Sequence, residues 1–219
     1  MLSASQVDVI NESTKSLVES GQFILQAHRF GDTEVEHAKK LLHWADIPLG
    51  AAVVDLGSGT GAVSYIWSKI RDDLSFCLVN LSEFQLGLLP KFCDQICCDM
   101  ENVPVEDGTF DAAVCMFSIG HTNHATAIAE MSRIVRPGGI VFVYDMVGKS
   151  PRLSELFYSL ISRDKIEGLA ASCGLSLDFY MEPADRGCPA SKMEGFDEVF
   201  GPLRPAIWRW VKRGEHVAF

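Results

Sequence analysis

The nine residues Val53-Val54-Asp55-Leu56-Gly57-Ser58-Gly59-Thr60-Gly61 constrain this chain more than any other stretch. A β-branched run meets glycine at every second position and hands over to the helical pattern AVSYIWSKI. Gly57 and Gly59 permit a sharp turn and let a ligand approach the backbone where a side chain would block it. The expected unit is a strand, a tight loop and a helix, with a binding site at the loop. Taken alone the loop is ambiguous, because Gly57, Gly59 and Ala62 also satisfy the G-x-G-x-x-G/A pattern of dinucleotide sites.

Two neighbours help to separate the ligands. Asp55 lies two residues before Gly57, where a carboxylate suits a cationic amino-acid group better than a pyrophosphate. The next apolar run, LSFCLVN at 74–80, ends in Asn80, whereas an NAD ribose is expected to meet Asp or Glu.

Further short apolar runs lie at 95–99, 110–118 and 139–147, with helix-like stretches at 82–92 and 123–135. Strands alternating with helices imply a parallel, doubly wound sheet covered on both faces. Upstream, 4–20 and 33–45 read as amphipathic helices with Ser3 and Thr33 as N-caps and an exit at Asp46 to Gly50. The connector between them carries His28, Phe30 and Gly31. After Gly148 a helix pair is expected, then strands at 175–181 and 206–212. Trp208 and Trp210 alternate with Arg209 in the last of these, a packing pattern.

Composition removes several classes. Of 219 residues, 47% are apolar, enough for a folded core. No window approaches the ~18–20 apolar residues of a membrane span, and MLSASQVDVINESTK does not read as a secretory signal. Seven scattered cysteines suit reduced thiols and a cytoplasmic setting. The net charge of −10 disfavours a nucleic-acid partner, leaving Arg204, Arg209, Lys212 and Arg213 as the one possible basic face. His121 with His124, and Cys93 with Cys97 and Cys98, match no zinc spacing, so no metal is expected.

The remaining signals fall in register with the loop. They are Asp99-Met100-Glu101, the DGTFD of VPVEDGTFDAAVCMFSIGH, and RPGGIVFVYD. Over roughly residues 25–180 the chain resembles the class I S-adenosylmethionine methyltransferase superfamily. That resemblance implies an α/β, Rossmann-like, doubly wound seven-stranded sheet whose last strand is antiparallel. It also implies an N-terminal helical cap (1–48) over a methyltransferase core (49–219). The implied cofactor is S-adenosylmethionine. Asp55, Gly57, Ser58 and Gly59 would hold its methionine part, Asn80, Leu81 and Gln85 its ribose, and Asp99 and Met100 its adenine, with Phe117 beside it.

A narrower likeness sits at Asn80-Leu81-Ser82-Glu83-Phe84-Gln85. It resembles the T/N-L-S-x-x-Q segment of methyltransferases acting on lipids, sterols, tocopherols and isoprenyl diphosphates. This implies a small or lipid-like methyl acceptor, with amide side chains replacing the usual acidic ribose ligand. Those relatives carry a glutamate after the fourth strand. Here the stretch reads FSIGHTNH and Ser118 stands in its place, which counts against their C-methylation chemistry. His121 is the remaining proton acceptor at that edge, and so the expected catalytic residue; helix capping is the bland alternative for it. Cys188-Pro189 reverses the Pro-Cys order of cytosine methyltransferases, and no N/D-P-P-Y/F follows the fourth strand. Two alternatives stay open: an O- or N-methyltransferase using His121 as base, and a non-catalytic cofactor-binding protein. The sequence leaves the oligomeric state unknown.

Overall fold

The computed structural model describes residues 2–24, 28–149, 157–160, 162–183, 188–189 and 202–214. Two helices open the chain, α1 (Ala4–Glu19) and α2 (Glu34–Ala45), separated by the two-residue strand β1 (His28–Arg29). Both helices start on capping boxes. The Ser3 and Thr33 hydroxyls accept from the Gln6 and Glu36 amides, and those side chains return to the cap amides. Such caps contribute ~1 kcal/mol each.

There follow β2 (Ala52–Leu56), α3 (Ala62–Ile70), β3 (Ser75–Asn80), α4 (Glu83–Leu86), β4 (Asp94–Cys97) and β5 (Phe110–Met116). A 3-10 turn at Ile119–His121 leads into α5 (His124–Ile134), β6 (Val135–Val147), α6 (Arg163–Ser172) and β7 (Leu175–Met181). Last come β8 (Cys188–Pro189), which pairs with β1, and β9 (Arg204–Lys212).

The main sheet has seven strands in the order β4-β3-β2-β5-β6-β9-β7. The contacts among β4, β3, β2, β5 and β6 are parallel. The late strand β9 inserts antiparallel between β6 and β7, as the sequence led us to expect. Because β3 and β5 leave β2 on opposite sides, their connections diverge and open a crevice beyond the carboxyl ends.

Alternation along the strands divides the core in two. Val53, Ala112, Val114, Phe142 and Ile207 share one face with Ala38 and Leu41 of α2 and Trp67 of α3. Val54, Ala113, Val141, Trp208 and Trp210 face Ile128 and Met131 of α5 and Ile166 of α6. The two tryptophans are therefore packing residues, as expected.

Two expectations need correction. The helix expected at 82–92 lasts one turn, because the restriction that Pro90 places on Leu89 prevents the chain resuming a helix beyond Gly87. The strand expected at 95–99 ends at Cys97, which is exposed on the sheet edge, not buried in an apolar strand. Of the two N-terminal helices, α1 lies over the crevice beside α4, while α2 packs in the core layer against α3 and β9. The first of the helices expected after Gly148 falls partly on 150–156, outside the described residues, and 157–160 are not helical.

Candidate active site

The crevice beyond β2, β3 and β5 gathers most of the sequence candidates. Asp55, Gly57, Ser58, Gly59, Asn80, Leu81, Gln85, Asp99, Met100, Phe117 and His121 all line it. The glycine loop forms the floor. Gly57 (φ 68) and Gly59 (φ 56) take left-handed backbone, but for different ends. A Cβ on Gly57 would sit 2.5 Å from Ser118 Oγ, so this glycine admits the neighbouring wall. A Cβ on Gly59 would meet no atom within 4 Å, so this glycine faces open space.

The loop amides bear on the dinucleotide alternative. Gly57 N and Ser58 N both donate to Val79 O, at 2.9 and 3.1 Å, and Gly61 N donates to Ser58 O. These three amides are therefore not available to cradle a pyrophosphate.

Asp55 is 2% exposed. Its Oδ2 accepts from Ser64 Oγ at 2.6 Å, while Oδ1, fully enclosed, has no hydrogen-bond partner. Burial pushes this carboxyl up to about 7, against the opposing Ser64 bond. A buried carboxylate oxygen without a donor, lining a crevice, fits a cationic group such as an α-ammonium. The Ser58 hydroxyl is a second enclosed, unpaired group on the same floor.

On the β3 side, Asn80 Nδ2 donates to Gln85 Oε1 at 2.7 Å, and Gln85 Nε2 donates to Thr14 Oγ1 at 2.6 Å. Ser82 Oγ donates to Asn11 Oδ1 at 2.7 Å. Gln85 is thus 6% exposed and its amide serves mainly to latch α1 over the crevice. Sequence reading missed Asn11 and Thr14. Their polar positions on the inner face of an amphipathic helix were the available signal. Asp99 Oδ1 accepts from Glu101 N at 3.0 Å, bending the chain so that Met100 is buried against the loop.

The opposite wall follows β5. Phe117 takes left-handed backbone (φ 58), a costly state for a non-glycine residue, and its amide donates to Tyr144 O at 2.7 Å. Ser118 Oγ donates to Leu56 O at 3.0 Å and lies 3.1 Å from Cys115 Sγ. It braces the loop. His121 Nδ1 lies 3.0 Å from Phe157 O, and burial holds its pKa below the ordinary histidine value against that carbonyl. His124 is not among the crevice residues; its Nε2 lies 3.3 Å from Ser159 Oγ.

Other candidates resolve as structure. Phe30 is buried and stacks on His37, with rings 5.4 Å apart, and makes edge contacts with Trp44 and Tyr144. His37, also missed, is buried in the crevice wall and accepts from Phe30 N at 3.2 Å through Nδ1. The C-terminal cations are tied down: Arg209 to Asp178 and Asp46, Arg204 to Glu182, Lys212 to Val135 O and Arg213 to Ser176. They present no free basic face. Among the described residues no cluster of three potential metal ligands occurs, and no helix is long and apolar enough to cross a membrane. The side chain of Cys188 lies outside the described residues.

Sheet order, the antiparallel β9 and the glycine loop give the described chain the class I methyltransferase fold. Residues 54–143 match the family model described as a methyltransferase domain. A sterol 4-C-methyltransferase of Caenorhabditis elegans is 26% identical over 58% of this chain and 42% of its own length. The chain spans under half the length of the curated relatives it matches. Among solved structures, a geranyl diphosphate C-methyltransferase from Streptomyces coelicolor A3(2), bound to Mg2+, geranyl diphosphate and S-adenosyl-L-homocysteine, superposes with TM-score 0.77 at 15% identity. That match covers 96% of this chain and 98% of the other. The [4+2]-cyclase SpnF superposes with TM-score 0.76 at 18% identity over 95% and 96%.

Proposed function

We propose that the protein is an S-adenosylmethionine-dependent methyltransferase acting on a small, lipid- or isoprenoid-like acceptor. The observation that carries this reading is the unpaired, buried Asp55 oxygen on a glycine floor whose Gly57, Ser58 and Gly61 amides are already paired within the protein. In this reading Asp55, Gly57, Ser58 and Gly59 hold the methionine part of the cofactor. Asn80 and Leu81 meet the ribose, Asp99 and Met100 the adenine, and Gln85 keeps α1 closed above. Residues 1–48 then act as the cap only through α1, the remainder joining the core.

Bound there, the cofactor supplies a methyl group on an electrophilic sulfonium. The chain positions the acceptor for in-line attack, excludes water and takes up a proton where the acceptor carries one. Met116, Phe117, Phe23, Ile24, Leu41 and Tyr144 offer that acceptor an apolar chamber. Among the described residues the crevice wall holds Asp55, Asp99 and Glu101 but neither Lys nor Arg. An uncharged acceptor suits such a wall better than a phosphorylated one. With Ser118 engaged by Leu56, His121 is the group left at the strand edge to accept a proton. This favours transfer to oxygen or nitrogen over transfer to carbon.

Radiolabelled S-adenosylmethionine with matched acceptors, such as farnesol and farnesyl diphosphate or a sterol and its sulfate, tests the reading. Label should enter the neutral member of a pair. Labelling of only the anionic members overturns the acceptor assignment. Cofactor binding with no transfer to any acceptor across a broad panel favours the non-catalytic alternative.

A further inference from the structure

Beside His121 lies a buried pair that the methyl-transfer reading does not use. Asp145 on β6 is 3% exposed, and its Oδ1 accepts from Tyr158 OH and from Met146 N. Tyr158 is buried as well, and its ring occupies the space over Gly120, where a Cβ would clash with it. That ring makes an edge contact with His121, centroids 5.0 Å apart, and a tilted contact with Phe117 at 5.5 Å.

The pair anchors a short segment of chain. Residues 157–159 return to the 3-10 turn through Ser159 N to Gly120 O at 2.7 Å and Ser159 Oγ to Gly120 O at 3.1 Å. Phe157 stands in left-handed backbone (φ 54), a strained state that surrounding contacts must hold. This aims its carbonyl at His121 Nδ1, 3.0 Å away. A carbonyl only accepts, so neutral His121 must carry its proton on Nδ1 and leave Nε2 bare. Ser159 Oγ also lies 3.3 Å from His124 Nε2. The same three residues thus touch two histidines, and only His121 lines the crevice.

We propose that Tyr158 and Asp145 are positioning residues: they hold Phe157 so that its carbonyl fixes His121 as the Nδ1–H tautomer, with Nε2 free to take a proton. The proposal deepens the catalytic reading of His121 and rests on it for its purpose, but not for its geometry. A base in the wrong tautomer presents a donor where an acceptor is needed.

Long-range proton–nitrogen correlation spectra of protein carrying isotope-labelled histidine read each tautomer without any acceptor. Signals are assigned with His121→Gln and His124→Gln. The expected wild-type spectrum has Nδ1–H at His121. Tyr158→Phe keeps the ring but removes the anchor, and should convert His121 to a mixture of tautomers. Asp145→Asn retains an acceptor oxygen for Tyr158 and should preserve the wild-type pattern. Nε2–H at His121 in the wild type overturns the proposal, even if no variant folds. An unchanged His121 signal in folded Tyr158→Phe overturns it too. If the tautomers are as expected but His121→Ala transfers methyl normally, the catalytic reading fails and the anchoring stands.

Discussion

The two walls of the crevice are built in opposite ways. The proposed cofactor wall comes mostly from one run of chain, β2, the glycine loop and α3, then Asn80 to Gln85, joined by Asp99, Met100 and Thr14 of α1. Its central acid, Asp55, lines the crevice with one enclosed oxygen unpaired. The proposed acceptor wall is assembled from pieces far apart in sequence: 117–122 after β5, Tyr144 and Asp145 from β6, and 157–159 from a later segment. Its buried acid, Asp145, is closed off beneath Tyr158. The first wall is designed to receive a ligand's charge, and the second to hold protein groups still. Substitutions on the two sides should therefore fail differently.

The largest expected effect is on the acceptor wall. His121→Ala should lower turnover by ~10²–10⁴-fold, the usual cost of losing a general base. Cofactor affinity should stay within a few-fold, as measured by calorimetry on the same protein. In the wild type, activity should rise with pH through a limb centred below ~6.5, the ordinary histidine value, because burial favours the neutral ring. A variant that retains both turnover and that limb would return His121 to packing.

Next come the two glycines, which separate bracing from binding. Gly57→Ala forces a Cβ into Ser118 at unfavourable φ and should cost ~2–4 kcal/mol of stability, read as a fall in Tm. Gly59→Ala meets no atom and should cost only the backbone term of ~1–2 kcal/mol. Its methyl projects into the crevice, so cofactor affinity should fall by more than stability does. Equal losses of affinity and stability at both positions would erase the distinction.

That contrast also explains what the sequence could reveal. The glycine loop, the capping boxes at Ser3 and Thr33, and the alternation of Val53 and Val54 are local, and spacing alone reports them. The inserted antiparallel β9 came from the family resemblance, since no local pattern states which strands it pairs with. The Thr14–Gln85–Asn80 latch and the Phe157–His121 contact join residues 71 and 36 positions apart. Such pairs leave no periodic trace. In sequence Ser118 stands where relatives carry a carboxylate, yet its hydroxyl braces Leu56, a role fixed by packing across 62 residues.

The paired acids supply a pH test. Burial holds both Asp55 and Asp145 up at about 7, well above their unfolded value near ~4. The stability they contribute is full below that unfolded value and is lost as pH rises to about 7. At pH ~8, Asp145→Asn should therefore raise Tm, by on the order of 1–2 kcal/mol of stability, with cofactor affinity little changed. Asp55→Asn should also raise the Tm of the free protein but weaken cofactor binding. A loss of affinity in both variants would show that Asp145 too reads the ligand.

The smallest effect belongs to the latch. Thr14→Val removes the acceptor for Gln85 at nearly constant shape and should weaken cofactor binding by roughly fivefold, equivalent to ~1 kcal/mol. Proteolytic cleavage within α1 should become faster in the same variant. Unchanged cleavage and affinity would mean that α1 is held by its apolar face alone.

The central claim, that the glycine floor with Asp55 receives a sulfonium amino acid and not a dinucleotide, is tested most directly by isothermal titration of the wild type and Asp55→Asn with S-adenosylmethionine, S-adenosylhomocysteine and NADH. The account predicts binding of both sulfur cofactors to the wild type, clear weakening in Asp55→Asn, and no heat from NADH. Tight NADH binding without binding of either sulfur cofactor would contradict it.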